Sequence, residues 1–219
     1  MEPLVEVRKI NSHIRVMASH GYLRKTVALH LDMAQRELEQ LGLGLKIMGA
    51  YRPLSAQKKL WQESPDNRYV ANPKNGSRHN RGAAVDLRLV RLNDGKELTM
   101  PVTSFSRACH RNYEGMQSED MKKNCKLLEL MMEKHGFIPL PTEWWHFDYK
   151  DWADYDLLDI AINDLEKNDD AETLIEQNPI VMKKPGHKKK RGAPKKRRKK
   201  VRKKKLTIAP PYNKVQEEN

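Results

Sequence analysis

The stretch "SRHNRGAAVDLRLV", Ser77 to Val90, constrains the fold more than any other part of this chain. A polar loop containing His79 runs into an apolar segment of the length and composition of a buried strand, and Asp86 interrupts that segment. An unpaired carboxylate inside an apolar strand is costly. Asp86 is therefore either a structural acid satisfied by hydrogen bonds, or its side chain converges with that of His79 on a common ligand.

Periodicity in the rest of the chain predicts an α+β fold. Apolar residues at helical spacing predict two long helices, with Gly42 ending the first and Gly136 the second. Leu45 and Ile47 alternate with more polar neighbours, which predicts a strand that ends near Tyr51. The order of elements favours a small, mainly antiparallel sheet with helices on one face.

Shorter signals complete this prediction. "SAQKKLWQE" is typical of a short helix with Ser55 as its N-cap, and "NDGK" carries the Asp-Gly signal of a tight hairpin whose return strand would be "ELTM". "FIPLPTEWWHFDY" predicts a final pair of strands. A charged, weakly amphipathic helix is expected from Leu157 to about Gln177.

Charge divides the chain into two parts. The net charge is +13, but the 23 residues from Lys183 to Lys205 hold 16 Lys and Arg, so the remainder carries −3. We therefore expect a folded domain over residues 1–180 and a disordered Lys/Arg-rich tail over residues 181–219. The tail is either a solvated segment without a partner or a contact for a polyanion such as nucleic acid, anionic lipid or an acidic wall polymer.

Several classes of protein are disfavoured. Two cysteines, Cys109 and Cys125, cannot form a disulfide framework, and the N-terminal stretch lacks the apolar core of a secretory signal. No run approaches the roughly 18 apolar residues of a membrane span. These observations predict a cytoplasmic protein.

Three segments place polar chemistry in apolar surroundings. His79, Asp86 and His146 offer two imidazoles and a carboxylate, and a catalytic zinc uses three such ligands with a fourth position open for water. Glu143 would then be a general base, and Arg52 would stabilise a developing oxyanion. Spacing alone leaves other interpretations open, in which the histidines are ordinary polar residues, Arg52 is an ion-pair partner and Glu143 is a structural acceptor.

The motifs resemble those of a known family. "SRHNRGAAVDL" is similar to the S-x-H-x-x-G-x-A-x-D signature of the VanX-like D-alanyl-D-alanine dipeptidases, and "PTEWWHFDY" is similar to their E-x-W-H motif. "GLGLKIMGAYRPLSAQ" resembles their Y-R-P segment. The likeness covers roughly residues 5–149, with the three motifs in the family's order.

The resemblance implies a role for each residue. His79, Asp86 and His146 would bind one zinc ion per chain, and Glu143 would act as general base and later as proton donor. Arg52 would stabilise the transition state, and a sixth residue, Ser77, would hold the carboxylate of the substrate. The implied reaction is hydrolysis of the free dipeptide D-Ala-D-Ala to two D-alanines.

Two departures from the family pattern leave other functions open. The region ahead of the first helix is short, and Phe105 is followed by Ser106 where an acid would suit the free amine of a dipeptide. One alternative is a zinc D,D-carboxypeptidase or endopeptidase that acts on larger peptidoglycan peptides. An alternative of another class is a polyanion-binding protein with an inactive peptidase-like body.

Overall fold

The computed structural model describes residues 2–17, 21–104, 106–112, 116 and 118–167. Its elements in chain order are β1 (Leu4–Glu6), α1 (Val7–Ile10), β2 (Arg15–Val16), β3 (Tyr22–Arg24), α2 (Lys25–Glu39), β4 (Leu43–Gly49), α3 (Leu54–Glu63), β5 (Ala84–Arg91), α4 (Glu119–Lys134), β6 (Phe137–Pro139), β7 (His146–Tyr149) and α5 (Ile162–Lys167). Short 3-10 turns cover His79–Arg81, Arg107–Cys109 and Trp152–Asp154. The expected boundary at residue 180 and the basic tail lie outside the described residues.

Five strands form the main sheet, in the order β2-β4-β5-β7-β6, and β1 pairs with β3 in a separate ribbon. The pairing of β2 with β4 is parallel, while the other pairs in the main sheet are antiparallel. The prediction of an α+β fold with a small, mainly antiparallel sheet is therefore confirmed.

Helices α2 and α4 contact each other and the sheet, so they cover the same face of it. Their apolar stripes are buried as the helical spacing predicts, and these residues are Val27, Leu31, Ala34 and Leu38 on α2 and Cys125, Leu128 and Met132 on α4. Leu41 continues the first stripe in sequence but is exposed, because α2 has already ended at Glu39.

Strand β5 has two different faces because its side chains alternate. Val85, Leu87 and Leu89 are fully buried in the core with the helices. Asp86 and Arg88 point to the other side of the sheet and are only partly buried. The carboxylate that interrupts the apolar run thus belongs to the face of the sheet that the long helices leave uncovered.

Three local predictions are wrong. The N-cap of α3 is Pro53, and the amide of Ser55 donates to the carboxylate of Asp159 at 2.7 Å, so a distant residue satisfies this helix end. The "ELTM" return strand is reduced to one bridge between Val90 and Glu97.

The third error concerns the closing helix, which begins at Ile162 rather than Leu157. The segment before it runs without helical structure along the domain, and the amide of Leu158 donates to the carbonyl of Asn80 at 2.8 Å. Burial of Leu157, Leu158 and Ile160 explains the apolar character of this segment. The predicted continuation to Gln177 lies outside the described residues.

Candidate active site

The pairing of β5 with β7 brings Asp86 and His146 together. The two residues lie directly opposite each other in the antiparallel register, so their side chains project from the same face of the sheet. Nδ1 of His146 lies 2.9 Å from Oδ1 of Asp86. Residues 60 positions apart in the chain are therefore held in contact by backbone pairing.

His79 reaches this pair from the 3-10 turn that precedes β5. Its Nε2 lies 3.2 Å from Nδ1 of His146 and 3.4 Å from Oδ2 of Asp86. Gly82 ends the turn with φ +66°, and a Cβ at that position would lie 2.5 Å from a methyl group of Leu4. Both the backbone conformation and the close packing require glycine there, which fixes how the turn enters the strand.

One ligand atom from each of His79, Asp86 and His146 lies within 4.8 Å of the others, so this trio could hold a metal ion. In the rings of His79 and His146, the nitrogen that points away from the trio already has a hydrogen-bond partner. Nδ1 of His79 lies 2.7 Å from the carbonyl oxygen of Ala50, and Nε2 of His146 lies 2.9 Å from Oδ1 of Asp148. Each ring therefore donates outward through one nitrogen and turns its other nitrogen toward the trio, as metal-ligating histidines do.

The charges of the trio are strongly coupled. Burial alone would raise the pKa of Asp86, but the two imidazoles hold that pKa far below its usual range. Burial lowers the pKa of His79. Burial would also lower the pKa of His146, but hydrogen bonds to the carboxylates of Asp148 and Asp86 raise it to about 10. Two imidazoles and an ionised carboxylate form a donor set that fits a catalytic zinc site.

Glu143 lies in the loop between β6 and β7, one turn ahead of His146. Its Oε2 is 3.9 Å from Nδ1 of His146, so the bend in the chain brings together two residues that a flat strand would separate. Burial raises the pKa of Glu143 to about 7, against the opposing charges of His146 and Arg52. A buried carboxyl group with a pKa near neutrality is suited to accept and return a proton.

Arg52 follows β4 and lines the same cavity as the trio. Its Nη1 donates to Oε1 of Gln57 at 2.8 Å, and the Nε2 of that fully buried amide donates to the carbonyl of Ala71 at 2.8 Å. The guanidinium is close enough to the chemical centre to lower the pKa of both Glu143 and His79.

Ser77 also lines the cavity and is 7% exposed. Its Oγ accepts a hydrogen bond from the amide of His79 at 3.2 Å, which leaves its hydroxyl proton available to another acceptor. All six residues singled out from the sequence thus lie at one cavity of about 570 Å³.

The sequence interpretation missed the residues that hold these six in place. Asp148 and Gln57 are the clearest cases, since one orients His146 and the other orients Arg52. A period-two pattern along "HFDY" could have placed Asp148 on the same face as His146. The contact of Gln57 joins α3 to a rim loop and has no comparable signal in the sequence.

Other polar residues lie outside the centre. Ser106 is exposed, and its Oγ caps the following 3-10 turn by accepting from the amide of Ala108. Cys109 and Cys125 are buried, as an inert structural role requires, and burial raises the pKa of both thiols. Trp144 is fully buried, while Trp145 lines the cavity.

Comparison with known proteins agrees with this geometry. Residues 14–164 match the peptidase family described as D-Ala-D-Ala dipeptidase, and this match covers all six candidate residues. The chain belongs to this D-Ala-D-Ala dipeptidase family. The resemblance inferred from the three motifs is thereby confirmed.

Two D-Ala-D-Ala dipeptidase relatives illustrate the relationship. The D-alanyl-D-alanine dipeptidase of Escherichia coli is 40% identical over 119 residues, which are 53% of this chain and 61% of that protein. The D-alanyl-D-alanine dipeptidase of Enterococcus faecalis is 30% identical over 146 residues, which are 56% of this chain and 70% of that protein. The match to the E. coli protein therefore spans less than two thirds of its length.

Among solved structures, the vancomycin resistance D,D-pentapeptidase VanY in complex with Zn(II) is similar with a TM-score of 0.41 and 16% identity. The likeness covers 62% of this chain and 77% of that one. At this score it supports no conclusion about the present chain. Within the part of the chain that the structure describes, no helix is both long and apolar enough to cross a membrane.

Proposed function

We propose that this chain is a zinc-dependent peptidase that hydrolyses D-alanyl-D-alanine to two D-alanines. The observation that carries the proposal is the convergence of His79, Asp86 and His146, with ligand atoms within 4.8 Å of one another, beside a buried carboxyl group at Glu143. Membership of the D-Ala-D-Ala dipeptidase family supports the choice of substrate.

The trio would hold one zinc ion through Nε2 of His79, the carboxylate of Asp86 and Nδ1 of His146. When bound, zinc supplies a Lewis acid that makes water nucleophilic at neutral pH. Asp148 and the carbonyl of Ala50 keep the two rings in the tautomers that leave those nitrogens free.

Glu143 would move the proton. With a pKa near 7 its carboxylate accepts a proton from the attacking water, and the same group then returns that proton to the amine that leaves. Burial keeps the carboxyl group poorly solvated, which sustains this pKa.

Arg52 and Ser77 would act on the substrate. The guanidinium of Arg52, held by Gln57, places a permanent positive charge at the cavity wall, where it would stabilise the oxyanion of the attacked carbonyl. The hydroxyl of Ser77 is free to donate to the C-terminal carboxylate of the substrate.

The decisive experiment is hydrolysis of D-Ala-D-Ala by purified protein with and without a zinc chelator. We expect the Glu143→Ala variant to retain zinc and lose turnover, and the His79→Ala variant to lose both. Near-full activity of Glu143→Ala would contradict the assigned proton transfer. Activity that persists after complete removal of zinc would contradict the whole proposal.

The cavity favours a second candidate, in which the D-Ala-D-Ala unit is the end of a longer peptide. Its volume of about 570 Å³ lies well inside the range of roughly 300–1,000 Å³ that accommodates drug-sized ligands. Among the described residues that line it, Asp86 and Glu143 are the carboxylates, and both belong to the chemical centre. Among the described residues, the wall therefore offers no further acid for a free substrate amine.

The two candidates are separated by comparing kcat/KM for D-Ala-D-Ala with that for a pentapeptide ending in D-Ala-D-Ala. Preference for the pentapeptide would replace dipeptide hydrolysis with carboxypeptidase activity at the same centre. Preference for the dipeptide would retain the first proposal.

The proposal includes two further expectations from the sequence, one about cellular location and one about the basic tail. A cytoplasmic location would give the enzyme access to the free dipeptide, and the basic tail would attract a polyanion. The alternative of an inactive body with a polyanion-binding tail predicts protein without stoichiometric zinc and without hydrolysis. Zinc content and the dipeptide assay together decide between these functions.

A further inference from the structure

The loop of residues 140–145 carries Glu143, and we refer to it as the Glu143 loop. It joins β6 to β7, and its ends are closed by the amide of Leu140, which donates to the carbonyl of His146 at 3.1 Å. Inside the loop, the amide of Glu143 donates to the carbonyl of Leu140 at 3.3 Å. The position of the catalytic carboxyl group therefore depends on how firmly these two ends are held.

Arg111 contacts both ends of this loop from a separate segment of the chain. Its Nε donates to the carbonyl of Leu140 at 2.9 Å and its Nη2 donates to the carbonyl of His146 at 2.7 Å. Its own amide donates to the carbonyl of Pro141 at 3.0 Å. One rigid guanidinium thus spans the two residues between which the Glu143 loop is closed.

The burial of Arg111 is costly and is only partly compensated by charge. The side chain is 7% exposed, its Nη1 lies 3.5 Å from Oε2 of Glu129, and its Cζ lies 4.4 Å from the centroid of the Phe147 ring. Burial lowers the pKa of this arginine to about 10. A well-packed apolar side chain is often no worse than a buried ion pair for stability, so stability alone gives little reason for a guanidinium here.

The geometry of arginine supplies that reason. A planar guanidinium can donate in fixed directions to two acceptors, whereas the ammonium group of lysine is a point charge on a flexible stem. At this position the two acceptors are carbonyl groups of the catalytic loop rather than a carboxylate pair. The fork therefore sets the distance between the loop ends.

We propose that Arg111 is a positioning residue, which fixes the Glu143 loop and thereby places the carboxyl group of Glu143 for proton transfer. The proposal rests on the proposed peptidase function. His146 depends less on this clamp, because β7 is paired on both sides and Asp148 orients the imidazole. Glu143 lies on the loop itself, so loosening the clamp displaces Glu143 before it disturbs the zinc ligands.

The test compares Arg111→Lys with two controls in the zinc-loaded full-length protein. Arg88→Lys is the matched arginine control, since Arg88 lies 5.2 Å from the Trp144 ring but donates to Met48, Glu97 and Pro101 instead of the ends of the loop. Glu129→Gln is the burial control, because it removes the ion pair of Arg111 and leaves both hydrogen bonds to the loop.

We expect Arg111→Lys to lower kcat for D-Ala-D-Ala by roughly 10- to 100-fold. Its KM and its zinc affinity, measured by competition with a chelator, should stay within about threefold of wild type. Arg88→Lys and Glu129→Gln should retain kcat within about threefold, even if Glu129→Gln lowers the melting temperature.

Three results would overturn the positioning role. The first is an unchanged kcat in Arg111→Lys. The second is a loss of zinc affinity in Arg111→Lys that parallels the loss of kcat, and the third is an equal loss of kcat in Glu129→Gln. The last two results would point to general disruption of the fold. If Arg111→Lys does not fold, Glu129→Gln still tests the proposal. Arg111 keeps both hydrogen bonds to the loop in this variant, so kcat should survive the loss of the ion pair, and a loss of kcat would contradict the positioning role. Wild-type protein without dipeptidase activity would instead refute the proposed function.

Discussion

Replacement of Asp148 tests whether a residue that is not itself a zinc ligand raises the zinc affinity of the site through its hydrogen bond to His146. The carboxylate is 10% exposed and lies 2.9 Å from Nε2 of His146, so it supports the ring with little help from solvent. Removal of such an outer partner typically costs 10- to 100-fold in metal affinity, or about 1.4–2.7 kcal/mol. The Asp148→Asn variant keeps one acceptor oxygen for the ring, removes the charge, and replaces the oxygen that faces Arg78 with an NH2 group.

The effect depends on pH because the same carboxylate also stabilises the protonated ring. His146 has a pKa of about 10 in the metal-free site, so zinc must displace a proton at neutral pH, at a cost on the order of 4 kcal/mol at pH 7. Asp148→Asn lowers that pKa and so relieves part of this competition. We therefore expect a larger loss of zinc affinity near pH 9 than near pH 6.5, and the full loss only above pH 10.

The measurement is chelator competition at both pH values, with Asp151→Asn as the control. Asp151 is an exposed acid three residues further along, outside the hydrogen bonds of the trio. A loss of zinc affinity in Asp148→Asn that is the same at both pH values would refute the reasoning. A loss that grows toward low pH would refute the proton competition in particular.

Three further outcomes follow from the geometry of the site. Gly49→Ala should weaken zinc binding in the same chelator assay, because the added Cβ would lie 2.5 Å from Oδ2 of Asp86; unchanged affinity would show that the strand gives way instead. Wild-type zinc affinity should rise about tenfold per pH unit between pH 7 and 9, since binding releases one proton from His146, and a flat profile in a titration with proton counting would contradict this. In the metal-free protein, Glu143 has a pKa raised to about 7, so its contribution to stability is present at low pH and is lost as the pH rises toward 7. Glu143→Gln should therefore gain up to about 3 kcal/mol over wild type between pH 4.5 and 7 in urea unfolding, and a constant difference would argue against the raised pKa.

The candidate zinc ligands were more predictable from the sequence than the residues that hold the site in place. His79, Asp86 and His146 stand out because each is a polar residue in an apolar setting, and their motifs occur in a recognisable order. Asp148 and Gln57 do not stand out, because a single acid on a strand and a single amide on a helix are common in any sequence. The contact of Asp148 with His146 is local, on one face of β7, whereas the support of Arg52 by Gln57 depends on a contact with the loop at Ala71 that no local pattern encodes.

The errors in the fold have the same origin. The Ser55 N-cap follows a sound local rule, but Asp159 satisfies that helix end from 104 positions away. The stretch from Leu157 contains helix-compatible residues, yet burial against the loop that carries Asn80 favours a non-helical path. In contrast, α2 and α4 were predictable, because a long amphipathic stripe specifies both a helix and the face that it buries.

The register of β5 and β7 has a consequence for the order in which this protein assembles. Asp86 and His146 become neighbours only when two strands whose ligands lie 60 positions apart have paired, so neither strand alone offers the complete set of donors. A zinc ion held by both strands would favour the native state over every state in which β5 and β7 are unpaired, because only the paired strands present all of its ligands.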